Sequence, residues 1–145
     1  MTVQQDLKSL AIETCFEKKT SLTPQRLLIL EAMERQKKPV SAYEVRDILI
    51  ASGNSFNIAT IYRVLDFWCR HKLILRLAAL NKYVCCAAPK ENHTHIINCC
   101  QKCQSTYESC DKQMGIDLDR GPELLGLTYA AHNHLEIPVI CVSCR

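Results

Sequence analysis

Two Cys-x-x-Cys pairs, Cys100-Gln101-Lys102-Cys103 and Cys141-Val142-Ser143-Cys144, hold the side chains of this sequence best suited to chemistry. Two residues between the thiols let both face one ion. Two such turns supply four sulfurs, which make a closed tetrahedral zinc site with a structural role. The 37 residues between the pairs, 104–140, exceed what a compact zinc ribbon holds, so a small subdomain must fold between them. The competing chemistry is a redox-active Cys-x-x-Cys, which goes with a thioredoxin-like strand and helix. The stretch around Cys100 has no such pattern.

The bulk properties suit that reading. The chain of 145 residues is long enough for one domain or two small ones, and its 48% apolar content can fill a core. A zinc staple makes most physical sense in the smaller half, because small domains bury little surface. No N-terminal stretch combines a basic start, an apolar run and a small-residue cleavage site. No apolar run approaches the roughly 18 residues that span a bilayer. The expected location is the cytoplasm, where the ten cysteines stay reduced and read as metal ligands before disulfides. Residues 1–80 carry 12 Lys/Arg and 8 Asp/Glu, a net +4, while residues 81–145 carry 6 and 7, a net −1. A basic first half fits a nucleic-acid partner.

The elements that must position these groups follow from periodicity and caps. Val3, Leu7, Leu10, Ile12 and Phe16 recur at roughly helical spacing over residues 3–19. Thr23-Pro24 caps and opens a helix running to about Arg35, where Lys37-Lys38-Pro39 ends it. Ser41-Ala42-Tyr43-Glu44 reads as a capping box, with Glu44 reaching back to the Ser41 amide. That helix stops at Ser52-Gly53-Asn54. A third helix runs from about Asn57 to Arg70. Its Ile58, Ile61, Leu65 and Trp68 share a buried face, while Thr60 and Arg63 share another, beside Tyr62. Two short strands follow, over residues 73–77 and 82–85. Three helices and a hairpin make a winged helix-turn-helix, whose third helix enters the major groove. Arg63 is then the best candidate for a base or phosphate contact, and Tyr43 for a thymine methyl or a phosphate.

Several stretches together resemble the ferric uptake regulator (Fur) superfamily of bacterial metal-responsive repressors. They are Leu22-Thr23-Pro24-Gln25-Arg26, Ser41-Ala42-Tyr43-Glu44, Ala59-Thr60-Ile61-Tyr62-Arg63-Val64-Leu65, His93-Thr94-His95, His132-Asn133 with Glu136, and the two cysteine turns. Within the family the chain is most similar to the zinc uptake regulators (Zur), through the run Thr60 to Phe67 and the Tyr83-Val84-Cys85-Cys86 end of the wing. The resemblance implies an α+β fold. An N-terminal winged helix-turn-helix DNA-binding domain occupies 1–86, a hinge 87–92, and a small α/β dimerisation domain with the four-cysteine zinc site 93–145. It implies a homodimer on a double-stranded DNA operator, with Tyr43, Thr60, Tyr62 and Arg63 at the interface.

The resemblance also implies a second, regulatory zinc near the hinge, held by Cys86, His93, His95 and Glu108. A thiolate, imidazoles and a carboxylate are suitable zinc donors, and strand alternation puts His93 and His95 on one side. Two departures matter. Leu75 stands where family members usually carry a His or Asp ligand, so His95 must complete the set or the site is weakened or lost. Gln104 and Val139 replace glycines commonly found beside the cysteine turns. Of the remaining thiols, Cys15, Cys69, Cys85 and Cys99 read as packing residues, and Cys110 as a surface thiol. His132, or its neighbour His134, could join an additional site. Residues 113–125 are expected to be helical in part, with a restart or bend at Gly121-Pro122, and residues 128–131 and 135–137 to form strands. The expected function is zinc-responsive repression of metal-uptake genes. The alternatives are an iron, manganese or peroxide sensor of the same family, or a member that has lost metal sensing. A catalytic zinc needs an open position and a general base. No catalytic constellation or small-molecule pocket is legible, so an enzyme is not expected.

Overall fold

Thr23, Ser41 and Asn57 each end an extended stretch and open a helix by accepting a backbone N–H in its first turn, from Arg26 (3.3 Å), Glu44 (3.1 Å) and Thr60 (2.8 Å). The computed structural model describes residues 6–36, 38–86, 94–118, 120–128 and 134–145. The chain divides into two compact units, Met1–Cys86 and Ala87–Arg145, and the proposed hinge over 87–92 lies outside the described residues.

The first unit runs α1 (Leu7–Glu17), α2 (Pro24–Glu34), α3 (Ala42–Ala51), α4 (Ile58–Arg70), then a hairpin of β1 (Ile74–Leu77) and β2 (Lys82–Cys85). The helices bury one stripe each, and α4 contributes most: Ile61, Val64, Leu65, Phe67 and Trp68 all face the core. Trp68 is fully enclosed, and its indole N–H donates to the Arg26 carbonyl at 3.0 Å. The Arg26 guanidinium lies 3.8 Å from the Phe67 ring centroid. Arg26 thus ties the start of α2 to the last turn of α4 through both its backbone carbonyl and its charged side chain. The wing is antiparallel, with Leu75 opposite Val84 and Arg76 opposite Tyr83. Val40, between α2 and α3, exchanges two backbone hydrogen bonds with Tyr83 (3.0 and 2.7 Å), adding a bridge to the hairpin that the sequence did not announce.

The Ser41 capping box forms by halves. Ser41 caps as expected, but the Glu44 carboxylate goes to Lys82 Nζ on β2, at 3.4 Å. An ammonium on an adjoining strand is a stronger partner for a carboxylate than a backbone amide.

The second unit is a three-stranded sheet in the order β4-β3-β5, from β3 (His95–Cys100), β4 (Thr106–Cys110) and β5 (His134–Val139). β4 runs antiparallel to β3, and β5 parallel to it. Two short helices follow β4: α5 (Asp111–Met114) and α6 (Arg120–Leu124). Of residues 113–125, expected to be helical in part with a restart or bend at Gly121-Pro122, Gln113 and Met114 end α5, which Gly115 closes in the left-handed region, φ 67°, and the helix restarts at Arg120. Gly121 and Pro122 sit in the first turn of α6, where proline is tolerated. Of the expected strand over 128–131, Thr128 is outside any strand and the rest lies beyond the described residues. Cys110 is buried rather than a surface thiol, and its sulfur caps α5 by accepting the Gln113 amide at 3.4 Å.

Candidate metal centres and nucleic-acid face

The end of β3 and the end of β5 lie side by side, with Cys100 opposite Val139. That register brings the two cysteine turns, which leave the sheet at the same edge, into contact. The turns are held by backbone. Gln104 N donates to Cys100 O (2.9 Å), Gln101 N to Val139 O (2.9 Å), and Cys141 N to Cys100 Sγ (3.4 Å). The sulfurs of Cys100, Cys103, Cys141 and Cys144 all lie within 4.8 Å of one another, and Cys103 and Cys141 are 3.8 Å apart. A zinc–sulfur bond of about 2.3 Å puts the corners of a regular tetrahedron about 3.8 Å apart. The four residues therefore fit a zinc ion.

The electrostatics of the four thiols are uneven. Backbone N–H groups of Cys103 and Cys141 hold the Cys100 thiol down to about 6. The Ser105 hydroxyl, 3.2 Å from Cys103 Sγ, lowers that thiol as well. Hydrogen bonding to the Cys141 sulfur pushes Cys144 up to about 12. Backbone and hydroxyl donors thus favour thiolate in the cluster, and a cation bound by all four sulfurs displaces the protons that remain. Lys102 Nζ donates to the Cys144 carbonyl at 2.9 Å, tying one turn to the other. Ser105 and Lys102 have no signal in the Cys-x-x-Cys pattern, apart from lying within two residues of a ligand.

Gln104 occupies the left-handed region, φ 61°. A side chain there meets its own backbone at a cost of about 1 kcal/mol that glycine avoids. We expect Gln104→Gly to stabilise the zinc-loaded second unit by about 0.5–1 kcal/mol, read as a higher unfolding temperature. An unchanged or lower midpoint would show that the turn is not strained.

Away from the sulfurs, at the other end of β3, stands a second set of donors. His95 faces Cys110 across the ladder, and Ile97 faces Glu108. His95 and Glu108 are therefore diagonal neighbours on one sheet face, a spacing long side chains can bridge. His95 Nδ1 and Glu108 Oε1 are 2.5 Å apart. The same face carries His134, opposite His95, and Glu136, with His134 Nε2 3.4 Å from Glu136 Oε2. Cys86 closes the first unit directly after β2, its amide bonded to the Leu73 carbonyl at 3.0 Å. Leu75 is buried in the hairpin and offers no donor. His93 and His132 lie outside the described residues. Burial pushes the Cys69 and Cys85 thiols up to about 12, so both stay protonated and pack against the core of the first unit.

On the first unit, α4 turns Arg63 outward, while its neighbours Val64 and Leu65 are buried. Tyr43, in the first turn of α3, is 53% exposed. The Arg46 guanidinium lies 5.2 Å from its ring centroid. Thr60 is half-buried, and Tyr62 packs partly against the core. Of the four expected DNA contacts, two are thus plainly exposed and two are flanking. The Glu44–Lys82 ion pair lies next to Tyr43 in the chain and ties its helix to the wing.

The chain is similar to known proteins over most of its length. Residues 17–121 match the family model of the ferric uptake regulator family. The zinc uptake regulation protein of Escherichia coli (strain K12) is 28% identical over 144 residues, covering 99% of this chain and 84% of that protein. The ferric uptake regulation protein of Haemophilus influenzae is 34% identical over 114 residues, 77% of each chain. A solved structure of a zinc uptake regulator complexed with zinc and DNA is similar with a TM-score of 0.83 at 28% identity, covering 99% of this chain and 96% of that one.

Proposed function

This chain belongs to the ferric uptake regulator family, and from that premise we propose that it is a zinc-responsive transcriptional repressor of metal-uptake genes. The four cysteines hold a structural zinc that shapes the second unit. A second, exchangeable zinc is bound by Cys86, His93, His95 and Glu108. The observation that carries this reading is the His95–Glu108 pair, metal donors on β3 and β4 set apart from the four-sulfur cluster that the far end of β3 feeds. Adding the thiolate of Cys86 selects zinc over iron or manganese, whose sites favour nitrogen and oxygen. His95 takes the place left by Leu75. The similarity to zinc uptake regulators over nearly the whole chain supports the same reading.

A metal can shift a conformational population only by binding one arrangement better than the other. Ligands drawn from both sides of the 87–92 segment supply that difference, because they meet only in one arrangement. The protein acts as a cytoplasmic homodimer that presents two α4 helices to a two-fold operator. Leu124, Leu125 and Leu127 in the second unit, 78, 75 and 57% exposed in the single chain, are the kind of apolar surface a dimer covers. The reading is of a binding protein, not an enzyme.

The test is operator affinity against buffered free zinc. We expect tight binding in zinc and a loss of at least tenfold on chelation that leaves the four-cysteine metal in place. Equal affinity in both conditions would leave a DNA-binding member of the family without metal sensing.

A further inference from the structure

We infer that Asp111 is a positioning residue for the exchangeable metal site: its carboxylate clamps the backbone at Thr94 and so holds His95 in register against Glu108. The inference rests on the reading of His95 and Glu108 as ligands given above.

Asp111 is only 6% exposed. A buried carboxylate is costly unless its oxygens find donors. Here Oδ1 accepts two backbone N–H groups, from Thr94 at 3.2 Å and from Lys112 at 2.9 Å. The Asp111 amide in turn donates to the Thr94 carbonyl at 3.2 Å. Both polar groups of the Thr94 backbone are therefore engaged by one residue.

The position of this clamp gives it meaning. The β3–β4 ladder ends at His95 opposite Cys110, and the β3–β5 ladder begins at His95 opposite His134. Among the described residues, His95 is thus the first of its strand in both ladders. Strand ends open locally at little cost, so a ligand there would spend part of its time out of place. Asp111 follows Cys110 directly and extends the pairing by one residue beyond the ladder. It uses a side-chain oxygen because its own carbonyl, turning into α5, already accepts the Ile116 amide at 2.9 Å. The imidazole that meets Glu108 at 2.5 Å is attached to the residue next to this clamp. Holding ligands before the metal arrives removes an ordering cost from binding. Partners of this kind, one step behind the ligands, typically change metal affinity by about 10–100-fold.

The role needs an acceptor oxygen at this place, not a charge, so asparagine should serve and alanine should not. The test uses the full-length protein carrying zinc in the four-cysteine site, titrated with Co(II) as the probe of the second site. Affinity is read by chelator competition, and geometry by the visible ligand-field absorption. We expect Asp111→Ala to weaken the second Co(II) by about 10–100-fold and to shift or broaden its absorption, with the first metal retained. Asp111→Asn is expected to restore both to within a few-fold of wild type. Wild-type affinity and spectrum in Asp111→Ala would overturn the inference. So would an Asn variant as defective as the Ala variant, or an Ala variant that also loses the four-cysteine zinc, since the residue would then serve charge or overall folding. A wild-type protein that takes up no second metal sinks the exchangeable site itself, and the inference with it.

Discussion

Cys103→Ser is expected to strip the structural zinc and unfold the second unit while the helices of Met1–Cys86 remain. The reason is the disparity between the two cores. In the first unit, residues from α1 to β2 join one buried cluster that includes Trp68, Ile29, Leu30, Met33, Ile61 and Leu65. In the second, the fully buried large side chains among the described residues are Ile96 and Ile97. Globular units hold about 0.05–0.15 kcal/mol per residue, so a unit of this length could expect about 3–9 kcal/mol even with an ordinary core. Structural zinc in small domains contributes about 10–16 kcal/mol. The metal term therefore decides whether this unit folds. A serine hydroxyl is a poor zinc ligand, and Cys103 is one of only four sulfurs that converge. Zinc per chain and amide exchange resolved along the sequence are the measurements. Loss of the metal with β3 and β5 amides still protected would show that the sheet stands without it, and retention of the metal would show that the three remaining sulfurs hold it.

The difference between the units also explains what could be read from sequence. Helix starts at Thr23, Ser41 and Asn57 depend on residues three apart, so they were legible, as was the apolar face of α4. The four sulfurs were legible for the same reason: each pair is local. What escaped was non-local or conditional. β4 is short and follows a metal turn, and its Thr106-Tyr107-Glu108-Ser109-Cys110 has no apolar alternation to announce a strand. Its pairing with β3 is what puts Glu108 diagonal to His95. The parallel register of β5 is set across more than 30 residues of intervening chain. Glu44 left the Ser41 amide for Lys82 because a wing strand brings an ammonium to it. Cys110 became a helix cap, a role for which cysteine is not a usual choice. Asp111 carries no motif at all, and its carboxylate acquires a purpose only once Thr94 lies beside it.

Arg63→Ala should abolish most sequence-specific DNA binding without disturbing the fold. Arg63 sits on the outward side of α4, between half-buried Tyr62 and buried Val64. Surface substitutions of this kind move stability by less than about 0.5 kcal/mol, so a loss of binding cannot be charged to unfolding. A guanidinium that forks onto a guanine edge contributes about 1–3 kcal/mol of discrimination, roughly 5–150-fold. The proposed two-fold dimer would make the contact twice, so the effects on one operator would compound when the half-sites act independently. Arg63→Lys separates the two roles open to this side chain. Lysine keeps the charge that serves a phosphate but lacks the planar fork, so it should retain non-specific binding and its salt dependence while losing preference for the selected site. If Arg63 touched only phosphate, the alanine variant would instead weaken all duplexes alike and lower the salt slope by about one. Titrating wild type, Arg63→Ala and Arg63→Lys, in zinc, against a duplex selected from random sequence and against a scrambled one distinguishes these cases. An alanine variant that still prefers the selected duplex by the wild-type margin would remove Arg63 from the reading surface and leave Tyr43, on α3, as the exposed candidate.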